Sequence, residues 1–510
     1  MSAERGKGGS SALSGVAWNS GVGALTIVVN LAAIPLGVSA VGSALFGSWA
    51  VGAALLLLLS QFDFGLSAGV VQRVAYYRGI GDESALRAYL SSTFILFLLL
   101  ASALSFAACI ASWLYLDRWQ SVSSPLLMII AIGSAMGTFI GILLRFQIAL
   151  FQGFAYFARE RLASGFGQLA RLLILALAVG LGVRAGWPEV LLLVAVVSAD
   201  IVALALPLAL LSIQAEILRI GALWRQKAQI RMLYGPVRSS LPIFVSSFAT
   251  FVAMQAPLYI AGAILPATSM PVVAGLVRIY QSSRAVLGWA SYPALPLISH
   301  TYSRGDSSNV RKLAKASVTV CTCVGLAVGL PLLAAGPNLL TLWLGPGAAG
   351  DGAGLAARML GVCIVVNALY SPLVVAATGV AKPERVVLPN LLIAMLVCAS
   401  APLLISWLGI AGVGLSSLLP LLLVAPWGIR AAVRSLAAGL ASTIGRASLA
   451  ALSAVSVGFF AVAITSGPSG AGPRDGLVSF VALGLALVSA GLVLASDVRC
   501  SIEVLRRGGV

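Results

Sequence analysis

The feature that most constrains this chain is a rhythm: runs of about 20 apolar residues recur from the neighbourhood of Leu25 to that of Leu485, separated by short polar breaks. A run of that length crosses a hydrocarbon layer of ~30 Å as an α-helix, and in hydrocarbon a helix satisfies its own backbone N–H and C=O groups. The composition agrees: 60% of the residues are hydrophobic and only 9% are charged, with a mean hydropathy of +1.03. A water-soluble globule needs far more charge on its surface. The expected fold is therefore an all-α polytopic membrane protein of about 14 transmembrane helices. Their centres fall near Leu25, Leu58, Leu99, Ala135, Leu172, Asp200, Ala253, Ala285, Leu326, Asn367, Leu396, Leu419, Ala454 and Leu485.

Charge distribution sets the expected orientation. Lys and Arg gather in alternate connections, as in Arg73, Arg78 and Arg87, in Arg304, Arg311, Lys312 and Lys315, and in Arg430, Arg434 and Arg446. The opposite set of connections holds only Arg118, Arg184 and Arg474. The positive-inside bias then predicts both termini on the cytoplasmic side of a bacterial inner membrane and an even helix count. The short basic tail MSAERGKGGSSALSG is expected to lead directly into helix 1, with no signal-peptide cleavage site. On this account the net charge of +17 is a topology signal, scattered over many loops, and nucleic acid is not an expected partner. The six cysteines outline neither a disulfide framework nor a metal site, and no cofactor is expected.

An internal repeat organises the helices. YYRGIGDESALRAYLSST (Tyr76 to Thr93) matches TYSRGDSSNVRKLAKAS (Thr301 to Ser317), each leaving an even-numbered helix through Tyr, Arg, Gly and Asp. FQGFAYFARERL (Phe151 to Leu162) corresponds to ATGVAKPERVVL (Ala377 to Leu388), at a similar offset of about 225 residues. The expected organisation is an N-lobe of helices 1 to 6 (residues 1–212), a basic connection (213–240), a C-lobe of helices 7 to 12 (241–432), and two appended helices with a tail (433–510).

Six-helix half-repeats, the FDFGL stretch ending helix 2, the loop Gly379 to Glu384 and the following WLGIAGVGLSS (Trp407 to Ser417) are similar to the polysaccharide transporter family. These are lipid-linked oligosaccharide flippases, of the O-antigen type, in the superfamily that also contains multidrug and toxin extruders. The chain departs from the family pattern at Leu36 to Val51, where the family's first outer loop is shorter and more polar. The resemblance implies a V-shaped two-lobe carrier working by alternating access, with a central cavity lined by helices 1, 2, 7 and 8.

Residues within the spans supply candidates without the family. Arg171, Arg278, Arg284 and Arg358 stand against Asp63 and Asp200, a surplus of cation where each charge costs about 2.5 to 3.5 kcal/mol. At 100° per residue, Arg278, Gln281, Arg284 and Gly288 share a stripe of helix 8 that is expected to face water and bind an anionic head group. Arginine suits a diphosphate because its planar fork donates two hydrogen bonds and keeps its charge when desolvated. Helix 1 carries Asn19, Gly23, Thr26 and Asn30 along one polar face, and helix 7 adds Gln255; these either line the cavity or bond between helices. Arg171 and Asp200 are expected to form a structural ion pair. Asp63, placed in helix 2 with Ser60 and Ser67 on its face, is either a gate or ion-coupling group, with Arg304, Arg311 and Lys312 as partners, or a helix-end carboxylate bonded to backbone.

Three functions compete. A flippase moving polyprenyl-diphosphate-linked oligosaccharide to the outer leaflet for O-antigen, exopolysaccharide or capsule synthesis predicts intramembrane cations, short outer loops and no catalytic residues. Its partners would be the lipid-linked oligosaccharide, membrane lipids, a polysaccharide polymerase and a chain-length regulator. An ion-coupled multidrug exporter of the same fold predicts intramembrane carboxylates in excess. A membrane glycosyltransferase or polymerase predicts acidic residues on a sizeable outer loop, whereas the longest expected here, Gly336 to Gly354, has one acid, Asp351. The first class fits the charge pattern best.

Overall fold

A computed structural model of the chain describes residues 7–59, 62–63, 66–116, 123–154, 156–218, 234–291, 294–303, 305–350, 352–380, 384–435 and 441–465. All regular structure among them is helical. In order the helices are α1 (Lys7–Leu59), α2 (Leu66–Ile80), α3 (Glu83–Leu116), α4 (Ser124–Gly153), α5 (Phe157–Leu177) and α6 (Glu189–Ile217), with a six-residue π-helix at Ala178–Val183. There follow α7 (Tyr234–Ile264), α8 (Met270–Ser291), α9 (Ala294–Ser303), α10 (Ser307–Leu344), α11 (Ala353–Gly379), α12 (Glu384–Leu408), α13 (Ile410–Ser435) and α14 (Ala441–Thr465). Ten of the described helices are long and apolar enough to cross a membrane, and the protein is a multi-pass membrane protein. The span expected around Leu485 lies outside the described residues.

Three expected boundaries change. Helices 1 and 2 are joined without a loop: α1 runs through Leu36 to Val51, interrupted only at Gly42, whose φ of 78° and ψ of 167° are open essentially to glycine alone. The Phe46 ring packs directly on Gly37. Nine residues of straight helix would hold them about 13 Å apart, so the chain reverses at Gly42. Helix 2 is in turn broken between Leu59 and Leu66, and helix 8 between Ser291 and Ala294. Third, Gly336 begins no outer loop. α10 continues past Pro331 and Pro337 to Leu344, with a kink at Ala335 (φ −120°, ψ 18°).

By packing, the chain divides into two compact units: Met1–Phe251 with Leu265–Ala274, and Val252–Ile264 with Gly275–Val510. In the first, α4 lies against α1, α2, α3 and α6; in the second, α11 lies against α9, α10, α13 and α14. By the order of their neighbours α2 corresponds to α9, α3 to α10, α4 to α11, α5 to α12 and α6 to α13, and the corners before α3 and α10 are built alike. In the first unit Gly81 takes φ 73° and Asp82 caps α3, its carboxylate accepting from the Ala85 N–H at 2.9 Å. In the second Gly305 takes φ 76° and Asp306 caps α10, accepting from the Asn309 N–H at 3.0 Å. The Ala85 N–H first, and then the Ser84 hydroxyl, hold the Asp82 carboxyl below its ordinary range. Such a corner needs glycine for the positive φ and a short acid for the cap, which is why Gly-Asp recurs.

Each unit has its own core. In the first, Phe97, Phe146, Leu150 and Phe151 are fully buried between α3 and α4, together with Leu211 of α6. In the second, Leu326, Leu330, Leu373 and Ala376 bind α10 to α11. Gly133 lets the Trp49 ring and Val197 close on α4, since a Cβ there would lie 2.4 Å from Val197 Cγ1.

Candidate functional site

The charged groups of the spans fall into three clusters. In the first unit, Arg171 of α5 meets Asp200 of α6, Nε to Oδ1, at 2.5 Å. The other carboxylate oxygen accepts from the Trp49 indole N–H at 2.8 Å, and the Arg171 Nη1 donates to Asn30 Oδ1 at 2.7 Å. Both side chains are largely buried, exposed by 12% and 19%. One cation and one anion sit in a single set with a polar partner on each side, tying α1, α5 and α6 together. Asn30 therefore spends its acceptor on Arg171, and Thr26 turns its hydroxyl back to the Val22 carbonyl at 2.9 Å. The Asn19 side chain lies outside the described residues.

Asp63 is the second cluster, and it does not sit in a helix. Phe62 and Asp63 form a bend between α1 and α2; the Asp63 carbonyl accepts from the Leu66 N–H at 2.8 Å, and its carboxylate accepts from the Ser67 N–H at 3.4 Å. An aspartate offers the backbone an alternative to the helix ladder and is favoured at a helix start, so here it ends one helix and opens the next. The carboxylate is buried and lies 4.0 Å from Arg145 Nη1 of α4. Of the basic residues expected near it, Arg311 is half-buried, Lys312 is exposed, and Arg304 lies outside the described residues.

The third cluster is in the second unit, around α8. From Gly275 onward its core face is made by Leu276, Val277, Tyr280 and Leu287. At 100° per residue Arg284 falls between Tyr280 and Val277 on that face, about 40° from Tyr280, whereas Gln281 and Arg278 lie further round. Arg284 Nη1 donates to Asn367 Oδ1 of α11 at 3.0 Å. The Asn367 amide nitrogen donates to the Tyr280 hydroxyl at 2.7 Å and to the Cys363 carbonyl at 3.0 Å. These two bonds fix which way the amide points, so its oxygen is held toward the guanidinium. Arg278 Nη1 and Gln281 Oε1 are 3.5 Å apart, a long bond on a half-exposed surface. Gly288 is buried. The stripe is thus graded, from Arg278 and Gln281 outward to Arg284 braced against α11. Gln255 of α7 is buried, and among the described residues its amide oxygen has no hydrogen-bond partner.

Asn367 is the functional candidate that sequence reasoning missed. An asparagine central to an apolar span is a visible signal, but its neighbour across the interface is set by packing. Sequence reading also did not find Trp49 or Arg145 as partners of Asp200 and Asp63.

No protein-family model matches this sequence, and no curated protein matches it. Solved structures do. The chain is similar to the lipid II flippase MurJ in an inward closed conformation, with a TM-score of 0.68 at 12% identity over 94% of this chain and 99% of that one. It is similar to a multidrug resistance MATE family transporter of the MOP superfamily in an inward-facing conformation, with a TM-score of 0.65 at 14% identity over 82% of this chain and 98% of that one. A MOP superfamily transporter from Pyrococcus furiosus, whose structure is described as suggesting a different function from the reverse polarity of its binding pocket, matches with a TM-score of 0.56 at 15% identity, over 83% of this chain and 95% of that one. At these identities the likeness shows the fold alone, one that this chain shares with these transporter structures.

Proposed function

We propose that this protein is a flippase that carries a polyprenyl-diphosphate-linked oligosaccharide from the cytoplasmic to the outer leaflet of the bacterial inner membrane, for surface polysaccharide synthesis. The observation that carries the reading is an asymmetry of charge. Each acidic side chain that is buried or nearly so in the described spans faces an arginine: Asp63 faces Arg145, Glu160 faces Arg161, and Asp200 faces Arg171. Arg284, by contrast, is held by the neutral Asn367 amide. A desolvated guanidinium with neutral partners keeps its positive charge for an anion, and a diphosphate matches its fork. Arg278 and Gln281, one to two turns away on the same helix, extend the donor set along the head group.

A cation-binding multidrug exporter of this fold would need the reverse, a membrane carboxylate left open for a positively charged ligand. The acids buried or nearly so in the described spans each face an arginine already. The lipid II flippase also covers a larger share of this chain than the MATE transporter does, and the Pyrococcus structure speaks for variation of pocket polarity within the fold. The carrier works by alternating access with both termini cytoplasmic, handing its cargo to a polysaccharide polymerase and chain-length regulator. A head group with about two negative charges gains roughly 4 to 5 kcal/mol on outward passage across 100 mV.

The test is reconstitution of the full chain in liposomes with a labelled polyprenyl-diphosphate oligosaccharide. Arg284→Ala and the Arg278→Ala, Arg284→Ala double variant are expected to lose translocation while inserting normally, and Arg284→Lys to recover only part, having no fork. Full translocation by the double variant, or efflux of cationic dyes by the wild type in place of glycan movement, would overturn the reading.

A further inference from the structure

α13 and α14 are consecutive helices that both lie against α11, yet they meet each other little along their described length. Between them lies a cavity of about 680 Å³ with α11 as its floor. The floor is purely aliphatic there, with Val365 and Leu369. In a membrane such a gap fills with hydrocarbon, because an empty slot forfeits dispersion contacts and water has no partners in it.

The wall contributed by α13 changes character along its axis. Leu422, Pro426, Arg430 and Arg434 follow one another at i, i+4, i+8 and i+12, a single stripe that is apolar at one end and dicationic at the other. All four are exposed. Among the described residues neither arginine makes an ion pair or a hydrogen bond. Across from this cationic end, α14 places the small residues Gly445 and Ser448; a Cβ on Gly445 would meet nothing within 4 Å. Toward the other end α14 turns to Leu452 and Val455. The stripe spans twelve residues of helix, ~18 Å, close to the ~15 Å of a single leaflet's hydrocarbon.

We infer that this groove is a binding site for one anionic glycerophospholipid, its phosphate seated between Arg430 and Arg434 beside Gly445 and Ser448, its acyl chains lying along α11 toward Leu422 and Leu452. The length selects the occupant: a further transmembrane helix needs the full ~30 Å, whereas the groove is one leaflet deep. The charge selects the head group, since basic pockets between membrane helices favour anionic lipids. The site is separate from the α8 arginines and does not depend on the identity of the transported cargo.

The experiment is native mass spectrometry of the full-length protein, delipidated in mild detergent and titrated with phosphatidylglycerol or with phosphatidylcholine of the same acyl chains. The wild type should retain phosphatidylglycerol over phosphatidylcholine on the order of tenfold, and Arg430→Gln with Arg434→Gln should bring the two to parity. Ser448→Trp should fill the head-group end and remove the bound lipid. A tryptophan reporter, Leu452→Trp, should be quenched by brominated acyl chains on phosphatidylglycerol at lower mole fraction than on phosphatidylcholine, which keeps the test intact where Ser448→Trp does not fold. Equal retention of the two lipids by the wild type, or an undiminished preference in the double glutamine variant, would sink the proposal. So would displacement of phosphatidylglycerol by substoichiometric polyprenyl phosphate, which would assign the groove to the cargo's tail. Quantitative disulfide formation between Ser448→Cys and Leu485→Cys would show that the chain's own C-terminal segment covers the groove.

Discussion

Two partly buried arginines, one in each unit, show how the same fold handles cation in opposite ways. Arg171 is closed: Asp200 neutralises it, Trp49 satisfies the carboxylate's other oxygen, and Asn30 takes a second guanidinium nitrogen. Arg284 is braced but remains cationic, with the Asn367 oxygen as its acceptor and Tyr280 holding the amide in place. The first arrangement carries no net charge and joins three helices. The second holds a full positive charge at a defined position on α8, which is what recognition of an anion requires. The two arrangements differ by one carboxylate, present beside Arg171 and replaced by an amide beside Arg284.

The largest expected effect comes from opening the closed arginine. Asp200→Ala leaves Arg171 buried without its anion and should destabilise the protein by about 3 kcal/mol or more, read as a fall in the melting temperature of the purified protein. Asp200→Ala, Arg171→Leu should recover most of that loss. A single variant as stable as the wild type would erase the contrast between the units. Next, Asn367→Leu removes the acceptor from a charged donor and should cost about 1.5 to 3 kcal/mol while lowering translocation by misplacing Arg284. Asn367→Asp sharpens the comparison from the other side, because it converts the second unit's cluster into a neutral pair. Stability should hold or rise, and transport of an anionic cargo should fall.

Smaller effects test the parts that both units share. Gly42→Ala puts a Cβ on a backbone conformation reserved for glycine and should cost about 1 to 3 kcal/mol, although the added methyl has open space around it. Smallest is the cap: Asp306→Ala should cost about 1 kcal/mol, and Asp82→Ala should act in the same direction, since the two corners are alike. The contribution of Asp82, whose folded pKa is depressed, is present above its unfolded pKa and fades as pH falls through the folded value. A stability unaffected at one corner and impaired at the other would end the equivalence of the repeats.

Local signals explain what was legible in advance. The loops Tyr76 to Thr93 and Thr301 to Ser317 predicted the repeat because a helix corner needs Gly and Asp at fixed neighbouring positions, and the structure builds both corners with the same bonds. Between helices 1 and 2, over Leu36 to Val51, one glycine stands in place of a loop, and hydropathy does not register φ. Asp63 was assigned to a helix because the apolar run continues around it, yet its side chain prefers the Ser67 N–H to a place in the ladder. The α8 arginines were visible as charge in an apolar run. That Arg284 leans on Asn367, 83 positions away, was not.

Sequence alone determined the all-helical membrane class, the two-fold internal repeat and the surplus of intramembrane arginine, because apolar run length, corner residues and charge are properties of short segments. Tertiary structure decided which arginine is neutralised, how Asp63 is spent and where α13 and α14 leave a groove, because an ion pair or a gap belongs to two helices at once. Nothing in either helix by itself records the distance between them.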